Sequence, residues 1–152
     1  MSNAENLLLK ARSQLLMQEP FFGTLAMRLK LVAKPEVKTA ATDGACLYYA
    51  PEWIEKQDVL KLRGLIAHEV MHCALNHNTR RQERDPDLWN ISCDYAINPI
   101  VLDAGLMLPD KGLVDDKLRD MPAEEIYDKL KDDSKKKPKP CTWGMVMDAG
   151  KQ

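Results

Sequence analysis

His68-Glu69-Val70-Met71-His72 stands near the end of the run Val59–Asn76 (VLKLRGLIAHEVMHCALN), and the reading of that run decides the rest. Leu62, Leu65, Ile66, Val70, Cys73 and Ala74 recur at helical spacing and make a broad apolar face, so a helix is predicted from Trp53 to about Asn76. Residues four apart on a helix share a face, so the imidazoles of His68 and His72 can meet one ion at about 2 Å. Glu69 is about 100° round from His68, placed to reach a water on that ion rather than the ion itself. This is the pattern of a zinc site for peptide hydrolysis. The ion lowers the water's pKa to about 7, and Glu69 takes its proton as it attacks a carbonyl. The chain has only 3 histidines, and two of them are in this motif.

A catalytic zinc site takes three protein ligands and keeps an open position. There are two candidates for the third. His77 lies about 140° from His72 on a continuous helix, so it would ligate only if the helix stopped and turned back near Asn76. The metzincin spacing, with a glycine in that turn and one more residue, is absent. Asp94 lies on the next predicted helix, where Asn90, Asp94 and Asn98 form a polar stripe at i, i+4, i+8 among Leu88, Trp89, Ile91, Ala96, Ile97 and Ile100. A buried polar stripe is costly unless hydrogen bonds or a metal satisfy it. Ligation by Asp94, with Asn90 or Asn98 supporting it, would answer that cost. Asp94 is favoured over His77, and both stay open.

Upstream, Ser2 and Glu5 suggest a capping box for a first helix to about Met17, with Leu8, Leu15 and Leu16 on one face and Pro20 and Gly23 ending it. Leu25, Met27, Leu29 and Leu31 alternate with Ala26, Arg28 and Lys30, which predicts a strand. Val37–Thr42 and Cys46–Tyr49 are expected to pair as a hairpin across Asp43-Gly44. The strand before the motif is where a peptidase of this kind keeps the edge that binds substrate. Downstream, a third helix is predicted from about Asp87 to Asp103, closed by Gly105, with a kink or early stop at Pro99. A short fourth helix starts at Met121–Glu125 and ends near Leu130. The fold class is α+β.

The 152 residues are one domain's worth, with 45% hydrophobic and 30% charged residues. Lys+Arg 22 against Asp+Glu 23 leaves −1, so no electrostatic footprint for nucleic acid or an anionic membrane is present. No apolar run approaches the roughly 20 residues that span a bilayer. The N-terminus does not read as a secretory signal, and Ser2-Asn3-Ala4 reads as a cloning remnant. Cys46, Cys73, Cys93 and Cys141 are widely spaced without C-x-x-C, which predicts reduced thiols and a cytoplasmic location. Residues 1–130 are expected to be the domain, 131–140 (KDDSKKKPKP) a flexible linker, and 141–152 a short C-terminal segment with a possible strand.

HEVMHCALNH with Arg80, then LWNISCDYAINPIVLDAG, then Leu108-Pro109, then MPAEEIYDKL strongly resembles the metallopeptidase domain found N-terminal to von Willebrand factor A-like domains in bacterial and phage proteins. The resemblance runs from about Pro20 to Asp148. It implies a zincin-like fold, a small mixed sheet packed on the H-E-x-x-H helix and a following ligand-bearing helix. It further implies zinc peptidase chemistry on a peptide or protein substrate, with His68 and His72 as ligands and Glu69 as base. Asp94 occupies the acidic position of its second motif. An A-like domain in a longer chain is the implied partner. Two other readings stay open: a zinc-stabilised binding module that cleaves nothing, and a peptidase latent without a C-terminal partner domain. Tyr48, Tyr49, Tyr95 and His77 are weaker candidates for stabilising an oxyanion. Arg80 and Arg81 are read as solvating a helix end, and Cys73 and Cys93 as buried apolar thiols.

Overall fold

The computed structural model describes residues 3–109, 112–132 and 143–149. Helix α1 (Asn3–Gln18) buries Ala4, Leu8, Ala11 and Leu15, a stripe at i, i+4, i+7, i+11, while Leu16 is turned outward. Ala4, read as a remnant, is thus part of the core. Pro20 does not end a helical region but starts a second helix, α2 (Pro20–Ala26), at the one position where its missing N–H costs nothing. Gly23 lies buried inside α2. That helix consumes Leu25, so the first strand, β1 (Lys30–Ala33), is shorter and later than the alternation predicts.

β2 (Ala40–Thr42) and β3 (Cys46–Tyr49) form the expected antiparallel hairpin, with Ala40 opposite Tyr49 and Thr42 opposite Leu47. Its turn is held by the Asp43 carboxylate, which accepts from the Ala45 and Cys46 amides. The sheet order is β1-β3-β2-β4, mixed in sense. Two consequences depart from expectation. β3 lies inside the sheet and offers no edge. The strand next to the motif helix is β2, and its outer side is taken by β4 (Met145–Val146), which runs parallel to it with Ala41 opposite Met145 and Thr42 opposite Val146.

The helix predicted from Trp53 is two helices, α3 (Pro51–Glu55) and α4 (Val59–Ala74). They part because Asp58 is extended and accepts from the Leu60 amide, an N-cap in the middle of the apolar run. Every residue from Gly64 to His72 is buried, so α4 is the central element of the core. Leu62, Leu65, Ile66 and Val70 pack with α1, α2 and Ile97, each buried leucine contributing about 1.5–3 kcal/mol. A Cβ at Gly64 would stand 1.4 Å from the Met107 carbonyl oxygen, so only glycine lets that backbone lie against α4.

Asn76, left-handed at φ 57°, ends this region, and a short helix α5 (His77–Arg80) follows. Helix α6 (Pro86–Asp103) begins with Asp85 accepting from the Leu88 amide and Pro86 in its first turn. It does not stop at Pro99. Its end at Gly105 has both bonds of a Schellman motif, Gly105 N–H to Leu102 O and Leu106 N–H to Val101 O. Helix α7 (Ala123–Asp132) packs on α6 through Leu88, Trp89, Ala123 and Tyr127, and runs into the first residues of the expected linker. Linker residues 133–140, Ser2 and Cys141 lie outside the described residues. None of the described helices is long and apolar enough to cross a membrane.

Candidate metal centre

Helices α4 and α6 pack together and bring the predicted residues to one point. His68 Nε2 and His72 Nε2 lie 3.0 Å apart, and Asp94 Oδ1 is 3.3 Å from each. A second set of donors, on His72, His77 and Cys93, also clusters within 4.8 Å. The two sets sit on opposite sides of the His72 ring. His77 Nδ1 is 3.0 Å from His72 Nδ1, whereas Asp94 faces its Nε2. The helix does stop near Asn76, but the turn carries His77 behind His72 instead of beside it.

The hydrogen bonds around the rings fix which nitrogen looks inward. The Asn98 amide nitrogen donates to the Leu113 carbonyl, so its Oδ1 is free to accept from His68 Nδ1–H at 2.8 Å. His68 Nε2 then faces His72 Nε2, Asp94 Oδ1 and the Gly144 carbonyl oxygen, which is 3.0 Å away. On His72, the Nδ1 proton is shared with His77, leaving Nε2 inward. Four electron-rich atoms therefore converge in a dry place, an arrangement that a cation or a proton must hold together.

The donor set fits a metal. Ligands about 2.0 Å from a tetrahedral ion are about 3.3 Å from one another, and the triangle's edges are 3.0, 3.3 and 3.3 Å. The electrostatics agree. Burial opposes charge on His68, but Asp94 beside it wins and pushes His68 up to about 9. Burial lowers His72 to about 4, with the charge on His68 adding to the effect. Burial also opposes the charge on Asp94, yet the two imidazoles hold it below the ordinary carboxylate range. His77 is driven down to about 2 by burial and by His72, so it is a neutral ring. Burial pushes the Cys93 thiol well up and keeps it protonated, a poor ligand state.

Glu69 is fully buried, and neither carboxylate oxygen has a hydrogen-bond partner among the described residues. Its Oε1 is 3.9 Å from His68 Nε2. Burial raises it to about 8, opposed by His68 and helped by Asp94. The Glu69 carboxyl is thus a buried, unpartnered acid beside the His68–His72–Asp94 cluster.

The family model described as "Putative metallopeptidase domain" matches residues 3–149. The chain belongs to this family. It is also similar to an uncharacterized protein of Thermotoga maritima (strain MSB8), 31% identical over 104 residues. That match covers 64% of this chain and 26% of the other, so the metallopeptidase-domain chain spans about a quarter of that relative's length. No solved structure matches it.

Of the other candidates, the Tyr48 hydroxyl donates to Asp43, away from the cluster. Arg80 is clasped by Glu124 of α7 and donates to the Leu75 carbonyl, and Arg81 pairs with Asp148. Asn98 supports His68, while Asn90 bonds to the C-terminal strand instead. Cys93 is buried as expected and Cys73 is half-buried. Sequence reasoning missed Trp143, Gly144 and Asn78. The Trp143 ring lies 4.7 Å from that of His68 and is itself buried. No spacing signal ties Trp143 or Gly144, the latter 76 residues beyond His68, to the motif.

Proposed function

We propose that this domain is a zinc-dependent peptidase in which His68, His72 and Asp94 hold the ion and Glu69 is the general base. The observation that carries this reading is the buried Nε2–Nε2–Oδ1 triangle with the unpartnered Glu69 carboxylate beside it. Two imidazoles and one carboxylate are a donor set of catalytic zinc, which supplies Lewis acidity and acidifies water. Glu69 accepts the proton of the attacking water on a carboxylate oxygen and passes it to the leaving amine. Asn98 and His77 keep both Nε2 lone pairs aimed inward. Asp94 offsets the positive charge on the two-histidine side and keeps its own proton off. The apolar surroundings on α4 exclude water and strengthen each of these interactions.

In this reading the substrate is a polypeptide and the location is cytoplasmic. An A-like domain in a longer chain is the partner that this reading carries. A second reading has one observation in its favour. The Gly144 carbonyl faces the same nitrogen as Asp94 and would complete a closed set of four, as in a zinc-stabilised module that cleaves nothing. Metal analysis of the purified chain tests the site: about one zinc per chain is expected, lost in the His68→Ala, His72→Ala double variant. Zinc retained by that variant would overturn the assignment.

A further inference from the structure

From Met145 to Ala149 the chain is held largely by main-chain hydrogen bonds, while Trp143 before it is anchored in the core. The Val146 amide donates to Asn90 Oδ1 at 2.6 Å and the Met147 amide to the Thr42 carbonyl at 2.8 Å. Asn78 Nδ2 donates to the Met147 carbonyl at 2.8 Å and to the Thr42 carbonyl at 2.9 Å, and the Ala149 amide donates back to the Asn78 carbonyl at 3.0 Å. Met145 is exposed and Val146 and Met147 are only half-buried, so beyond the buried Trp143 ring the stretch is gripped mainly as an extended main chain, with the Arg81–Asp148 pair at its end. Such main-chain pairing along a strand accepts many sequences.

The segment also covers the cluster. Gly144 is left-handed at φ 66°, and a Cβ there would come within 2.6 Å of the His68 ring and 3.2 Å of Glu69 Oε1. With Trp143 packed on His68, this leaves His68, Glu69 and His72 without exposed surface.

We propose that the groove bounded by β2, Asn78 and Asn90 is a binding groove for extended polypeptide, and that residues 143–149 fill it in cis. Gly144 places its carbonyl where a bound chain's carbonyl would lie. The domain as folded is thus self-blocked, and a polypeptide ligand must displace the segment to reach Glu69. The inference rests on the peptidase reading, but the cover itself is measurable without catalysis.

The test uses the full chain loaded with zinc. Gly144→Val puts a β-branched residue at a positive φ against His68, and should release the segment. Amide exchange at Val146 and Ala149, and the rate of zinc loss to excess chelator, should both rise about tenfold or more. Met147→Pro removes the donor to Thr42 and touches no ligand. It should raise both rates about threefold, and it carries the test if Gly144→Val does not fold. In Glu69→Gln, saturating unfolded casein should speed exchange at the same two amides. Unchanged exchange and unchanged zinc loss in both folded variants would overturn the proposal. Faster zinc loss with no hydrolysis of casein by either variant would uphold the cover and sink the peptidase reading. Equal casein hydrolysis by wild type and both variants, with Val146 and Ala149 protected throughout turnover, would sink the cover and leave the peptidase.

Discussion

His68 Nδ1 lies 2.8 Å from Asn98 Oδ1, and this contact between α4 and α6 decides which nitrogen of His68 faces Asp94. Asn98 is fully buried and is itself oriented by the Leu113 carbonyl. Asn98→Ala should therefore leave the Nδ1–H without its acceptor and free the ring to turn. The expected result in a competitive zinc titration is a loss of about 10–100-fold in affinity. The accompanying loss of stability is about 1–3 kcal/mol, read by denaturant unfolding. Unchanged affinity would mean that packing alone orients His68.

Asp94 and His77 occupy opposite sides of His72, so they are separable by substitution. Asp94→Ala should reduce zinc content below one per chain at micromolar zinc. His77→Gln should retain one zinc, with affinity lowered by about tenfold or less, since only the support behind His72 is altered. The reverse ranking would make His77 the third ligand.

Much of this was legible in the motif because it is local. H-E-x-x-H fixes two imidazoles and a carboxylate within two turns of one helix, whatever the fold does around it. Asp94 was legible for a different reason: a polar residue in an apolar helix needs a partner, and α6 returns along α4 to supply it. The helix boundaries were less legible. Pro20 could end one helix or begin another, and the packing of Phe22 and Ala26 into the core favours the second, overriding the alternation at Leu25–Leu31. Asp58 divides a continuous apolar pattern because its carboxylate bonds locally to the Leu60 amide. The C-terminal strand was the least legible. Met145 stands opposite Ala41 in a two-residue strand, and backbone pairing over such a separation leaves little trace in residue type.

The proton on His68 competes with any cation. In the metal-free protein His68 is raised to about 9, above its ordinary value, so it carries a proton at pH 7 that the ion must displace. His72, lowered to about 4, has none to lose. Apparent zinc affinity should rise roughly tenfold per pH unit through neutrality and level off above about pH 9, with about one proton released per ion below that point. Calorimetric titration in buffers of differing ionisation enthalpy measures both. A pH-independent affinity between 6 and 9 would show that His68 is unprotonated before the ion arrives.

The central claim is that the Glu69 carboxylate moves a proton during peptide hydrolysis while His68, His72 and Asp94 hold zinc. Glu69→Gln keeps the shape of the side chain and removes its basicity. Zinc content and casein hydrolysis should be measured together for this variant, in the wild-type and Gly144→Val backgrounds. The account predicts one zinc per chain in each, and hydrolysis reduced by about 10²–10⁴-fold. Hydrolysis undiminished by Glu69→Gln with zinc in place would contradict it.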